Sequence, residues 1–74
     1  MKASTALRKI MKMEEVGLKE LSDRMGYAFY TALQKRLTDA NDMKSSMIVT
    51  IANELGYEVI IRKKDGSIEF PIDE

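Results

Sequence analysis

Apolar residues recur along this chain with a helical period up to Gly56 and a strand period after it. Leu7, Ile10 and Met11 fall at i, i+3, i+4, beside Ala3 and Ala6, with Arg8, Lys9 and Lys12 on the other side. That spacing predicts a helix from Ala3 to about Glu15, capped by Ser4 or Thr5. Leu18, Leu21 and Met25 make the stripe of a second helix. Gly17 serves as its N-cap, Val16 is placed to staple onto Leu21, and Gly26 stands where a left-handed residue ends a helix. Phe29, Leu33 and Leu37 recur every fourth residue and predict a third helix from Tyr27 to about Thr38, with Thr31, Gln34, Lys35 and Thr38 outward. The polar run Thr38-Asp39-Ala40-Asn41-Asp42 reads as a loop. A fourth helix, opening at Met43 or Ser45 and ending before Gly56, carries the stripe Met47, Ile48, Ile51, Ala52 and Leu55.

Beyond Gly56 the alternation is two-fold, and Asp65-Gly66 is a strong hairpin signal. A two-residue turn there pairs Lys64 with Ser67, Arg62 with Glu69, Ile61 with Phe70 and Val59 with Ile72. Val59, Ile61, Ile68, Phe70 and Ile72 then share one apolar face. That face is expected to fold onto the first and fourth helices, because two strands alone are marginal in water. Pro71 cannot donate to a ladder and belongs on an edge strand. Ile60 falls on the opposite face, where an apolar residue marks a partner surface.

Composition narrows the classes of function. Seventy-four residues make one small domain, which hides only about 60–65% of its unfolded surface. Residues 1–56 are read as the helical bundle and 57–74 as a hairpin packed on the same domain. A core this small, with no Cys to staple it, raises the expectation of a homodimer. The absence of both Cys and His removes zinc sites and most nucleophile–base pairs, so neither an enzyme nor a cofactor is expected. Glu14 and Glu15 are neighbours in a helix and point about 100° apart, which does not make an acid/base pair. Asp39, Asn41 and Asp42 lack the Gly and distal Glu of a calcium loop. Twelve Lys/Arg balance twelve Asp/Glu, but residues 1–56 hold nine basic against seven acidic, a net +2. No segment approaches the roughly 20 apolar residues of a membrane span, and the charged start is no signal core. A cytoplasmic protein without a membrane partner is expected.

The stretch from Val16 to Leu37 carries the most specific pattern. Two short helices meet at Gly26, Ser22 supplies a small residue where they approach, and Leu21, Met25, Leu33 and Leu37 are the apolar anchors. With Leu7-Arg8-Lys9-Ile10-Met11, Lys19-Glu20-Leu21-Ser22-Asp23-Arg24-Met25-Gly26-Tyr27, Leu33, Arg36-Leu37 and the run from Ile51 to Val59, the chain resembles Cro/lambda-repressor-like (XRE-type) helix-turn-helix proteins in their short phage and mobile-element form. The resemblance implies a mainly α fold, a bundle of four or five helices with the C-terminal β-hairpin appended. It implies a repressor-like regulator that binds double-stranded DNA as a homodimer.

Carried over by position, the resemblance places Tyr30, Thr31, Gln34 and Lys35 at base edges in the major groove. It places Lys19, Arg36 and Lys44 on phosphates. Two departures support an alternative. Gly17-Leu18 stands where the family carries a Thr-Gln pair, and Ala28-Phe29-Tyr30 opens the reading helix with aromatics. The alternative is a helix-turn-helix scaffold reused to bind a protein partner, as in an antitoxin or inhibitor of a mobile element.

Overall fold

Leu7 and Met11, four residues apart, lie buried on the inner face of α1, which spans Ala3–Met13. Arg8, Lys9 and Lys12 are exposed on its outer side. The computed structural model describes residues 1–26, 30–38 and 43–73, without the side chain of Tyr30. The described residues form four helices and one two-stranded antiparallel hairpin. α1 is shorter than its apolar pattern implies, and neither Ser4 nor Thr5 caps it. The N-cap is Lys2, without a side-chain bond, and Ser4 is buried within the first turn.

The early stop of α1 has a backbone cause. Glu15 adopts φ +56°, the left-handed region. The Val16 N–H then donates to the Met11 carbonyl at 2.9 Å and the Glu15 N–H to the Lys12 carbonyl at 3.3 Å. This is a Schellman closure, built here on a Glu where Gly is usual. It turns the chain so that Val16 packs against the core. Gly17 then N-caps α2, Leu18–Met25, and Gly26 at φ +78° ends it, as expected from the sequence.

α3 spans Tyr30–Arg36 and is packed against α2, with Leu33 and Leu37 buried. The expected helical start over Tyr27, Ala28 and Phe29, and the inward position of Phe29, lie outside the described residues. So do Asp39, Ala40, Asn41 and Asp42. α4 spans Ser45–Glu54 and packs on α1 and α2. Ile51, Ala52 and Leu55 are buried, Met47 and Ile48 only half so, and Val49, outside the expected stripe, is buried as well. Met43, one of the two expected starting points of this helix, lies before it and is half-buried against the core.

The core is therefore the meeting of all four helices: Leu7, Met11, Leu21, Leu33, Leu37, Ile51, Ala52 and Leu55. Burying each Leu or Ile contributes on the order of 1.5–3 kcal/mol. Two polar links tie the ends together. The Arg24 guanidinium donates to the Glu54 carbonyl at 3.3 Å, placing a cation at the negative end of α4. It also pairs with Glu20 at 3.5 Å, one turn back. The Tyr57 hydroxyl donates to Glu14 Oε1 at 3.0 Å, joining the end of α1 to the chain leaving α4. That bond to a carboxylate holds the phenol proton and pushes its pKa up.

β1 (Val59–Arg62) and β2 (Glu69–Ile72) pair with Val59 opposite Ile72, Ile60 opposite Pro71, Ile61 opposite Phe70 and Arg62 opposite Glu69. The register is the one its alternation predicts. Two other expectations are corrected. The turn is not a two-residue loop at Asp65-Gly66. The Gly66 N–H donates to the Lys63 carbonyl at 2.8 Å and the Lys63 N–H to the Ile68 carbonyl at 2.8 Å, with Gly66 at φ +82°. Asp65 does not take the positive φ that a type I′ turn demands of both central residues. Its Oδ1 instead accepts from the Ser67 N–H at 2.8 Å and the Ser67 hydroxyl at 2.6 Å. These bonds favour the carboxylate and lower the Asp65 pKa.

The second correction concerns the apolar face. Only its base is covered, where Val59 packs on the core and Ile72 is half-buried. Phe70 is 63% exposed, Ile61 64% and Ile68 49%, so the Phe70 face does not lie on α1 and α4. α4 is in contact with β1, whose first residue, Val59, packs against the core.

Candidate nucleic-acid interface

α3 is short, about 10 Å at 1.5 Å per residue, and its burial pattern sets its two faces. Leu33 and Leu37 are one turn apart and anchor it to the core. With about 100° between successive residues, Thr31 and Lys35 point away from those anchors, and Gln34 and Arg36 flank them on opposite sides. All four are exposed. The described helix carries Lys35 and Arg36 in its last turn and no acidic residue. Part of that placement serves the helix itself, since cations in a last turn oppose the negative dipole end.

The other expected site residues are distributed around this helix. Tyr30 opens α3, and its side chain lies outside the described atoms. Lys19 is exposed in the first turn of α2, the helix packed against α3. Gly17 gives that turn no side-chain cap, and its first intrahelical bond is Leu21 N–H to the Gly17 carbonyl at 3.0 Å. The N–H groups of Leu18, Lys19 and Glu20 thus have no intrahelical acceptor. Lys44 is the exposed N-cap of α4, separated from α3 by the undescribed residues 39–42. Thr31, Gln34, Lys35 and Arg36 thus share one helix, Lys19 sits on its packing partner, and Lys44 stands apart in the chain.

Gln34 borders a cleft of about 280 Å³ between α1, the start of α2 and the end of α3. Met11, Leu18 and Leu37 supply its apolar lining, and Arg8, Gln34 and Thr38 its polar part. Arg8 was expected only as a solvated residue of α1. Its place beside Gln34 has no sequence signal, because the two residues are brought together solely by helix packing.

Ser22, in the middle of α2, is buried, with no hydrogen-bond partner for its hydroxyl among the described residues. Small size explains its presence there better than polarity. Among the described residues no three His, Cys, Asp or Glu side chains cluster as metal ligands, and no helix is long and apolar enough to cross a membrane. Comparison of the chain with protein-family models, curated proteins and solved structures finds no match.

Proposed function

We propose that the protein is a helix-turn-helix regulator that binds double-stranded DNA sequence-specifically, as a homodimer, and reads the major groove with α3. One observation carries this reading. α3 is pinned by Leu33 and Leu37 and presents Thr31, Gln34, Lys35 and Arg36 outward without an acid among them. A helix of its width fits a groove about 12 Å across. Gln34 can bond adenine bidentately, Lys35 can bond guanine O6 and N7, and the Thr31 methyl can meet a thymine methyl. The resemblance adds Tyr30 to the residues proposed to read bases. Lys19, Arg36 and Lys44 supply phosphate contacts, which set position and not sequence. The zero net charge is compatible with this, because phosphate binding needs only a local patch. A dimer reading two half-sites one helical turn apart would act by occluding a promoter or operator.

The test is a selection from random duplexes at moderate salt, with the bound molecules sequenced. An enriched inverted repeat supports operator binding, and no enrichment sinks it. On the recovered site, Gln34→Ala and Lys35→Ala should each cost about 1–3 kcal/mol of discrimination at one base position. Lys19→Ala should weaken binding to all sequences alike. About four phosphates neutralised per subunit give a salt slope near −3.6.

The exposed face of Ile61, Ile68 and Phe70 favours a second reading, a helix-turn-helix scaffold that binds a protein. Failure of the DNA selection together with loss of a protein complex on Phe70→Ser would support it.

A further inference from the structure

The two edges of the hairpin differ in what they offer. The Lys63 N–H bonds the Ile68 carbonyl, so Lys63 and Ile68 face each other through main-chain groups. In an antiparallel ladder this orientation alternates. Ile61 with Phe70 and Val59 with Ile72 therefore point their main-chain groups inward, while Ile60 with Pro71 and Arg62 with Glu69 point theirs outward. Pro71 thus removes a donor from the middle of the free edge of β2, a common way of blocking an edge. The free edge of β1 has no such block. Ile60 and Arg62 present both N–H and C=O there, and no described residue hydrogen-bonds those groups. Ile60 is itself 37% exposed.

We infer that the free edge of β1 pairs antiparallel with the same edge of a second copy of this chain, on a two-fold axis at Ile60. This deepens the dimer part of the proposed function and stands whether or not the protein binds DNA. The register is selected by both faces of the strand. With Ile60 opposite its own copy, Glu58 falls opposite Arg62 of the second chain, twice over, extending the existing Arg62–Glu69 cross-strand pair. On the other face Ile61 falls opposite Val59 of the second copy. Each resulting row then reads Phe70, Ile61, Val59, Ile72 across four strands, apolar throughout. Moving the axis to Arg62 would set the two Arg62 side chains opposite each other. Moving it to Ile61 would set Arg62 opposite Ile60 and Lys63 opposite Val59. The joined sheet has four strands, which overcomes the marginal stability of two, and its outer edges are the ones that Pro71 blocks.

Sedimentation equilibrium of the full chain, without DNA, should show a reversible dimer at or below about 100 µM, since an edge interface is small. Ile60→Pro removes the outward N–H and leaves the inward ladder intact, as Pro71 already does opposite it. It should give a monomer with an unchanged far-ultraviolet circular dichroism spectrum. Glu58→Lys should weaken the dimer by about tenfold, through two like-charge pairs. The chain has no native Cys, so single Cys variants report the register directly. Ile60→Cys should form disulfide-linked dimers several-fold faster than Ile61→Cys or Arg62→Cys, although Ile61 is the more exposed, at 64% against 37% for Ile60. A wild-type chain that stays monomeric to that concentration overturns the inference. So does a folded Ile60→Pro that remains dimeric, or faster cross-linking at residue 61 or 62 than at 60. A failed DNA selection leaves this result standing, and a monomer leaves the DNA selection standing.

Discussion

Replacing Glu15 with Gly should make this protein more stable, and replacing Gly56 with Ala should make it less so. α1 and α4 end in the same pair of hydrogen bonds. At α1 they are Val16 N–H to Met11 and Glu15 N–H to Lys12, at 2.9 and 3.3 Å. At α4 they are Tyr57 N–H to Ala52 and Gly56 N–H to Asn53, at 2.8 and 3.1 Å. The left-handed position is Glu15 at φ +56° in one and Gly56 at φ +82° in the other. An L-residue there costs about 1–2 kcal/mol. Gly returns about 0.4–1 kcal/mol of this through the greater freedom of its unfolded chain.

The net expectation is a gain of about 0.5–1 kcal/mol for Glu15→Gly and a similar loss for Gly56→Ala. Neither figure needs a correction for packing. Glu15 is exposed, and a Cβ built at Gly56 meets nothing within 4 Å. Urea unfolding followed by circular dichroism, at one fixed protein concentration, measures both. For a chain of this size the shifts correspond to roughly 2–8 °C in Tm, in opposite directions. A loss of stability for Glu15→Gly, or no change in either variant, would refute the assignment of the two helix ends to one motif.

Other expected outcomes test other parts of the structure. Ser22→Ala should be neutral or stabilising by up to about 1 kcal/mol, because it removes a buried hydroxyl without a partner. Ser22→Leu should destabilise by about 1–3 kcal/mol through overpacking between α2 and its neighbours; thermal melts of the two would separate these effects. Leu33→Ala should cost about 2–5 kcal/mol of stability. Lys35→Ala, two positions on, should change stability by less than about 0.5 kcal/mol, so a fall in DNA retention without a fall in Tm marks a surface contact. The depressed Asp65 pKa makes the turn acid-sensitive. Its contribution is complete above the usual carboxylate value near 3.8 and is lost as pH falls through the lower folded value. The Ser67 amide resonance should follow that titration, and an Asp65→Asn variant in which the amide shifts identically would break the link.

The parts of this protein that local periodicity controls were legible in the residues. α2 begins after Gly17 and ends at Gly26 because both termini are set by backbone preferences a few residues wide. Leu33 and Leu37 face inward because a four-residue spacing returns to the same side of a helix. The hairpin register follows from alternation on both strands, since a slip of one residue would exchange the two faces. Four helices and a hairpin were therefore already written in the pattern.

The end of α1 was not legible, because Glu15 carries no mark of a left-handed residue. Its positive φ and the bonds from Glu15 to Lys12 and from Val16 to Met11 reveal it. The neighbourhood of Arg8 and Gln34 was not legible either, since 26 positions separate them and no local rule links them. The same holds for the apolar hairpin face. Alternation identified Ile61, Ile68 and Phe70 as one side of a sheet, but whether that side meets a helix depends on the direction in which the chain leaves Gly56. Sequence alone determined the elements and the face each would turn toward an apolar neighbour. The tertiary structure decided which of those faces found one, because docking is a long-range geometric outcome that short-range spacing does not encode.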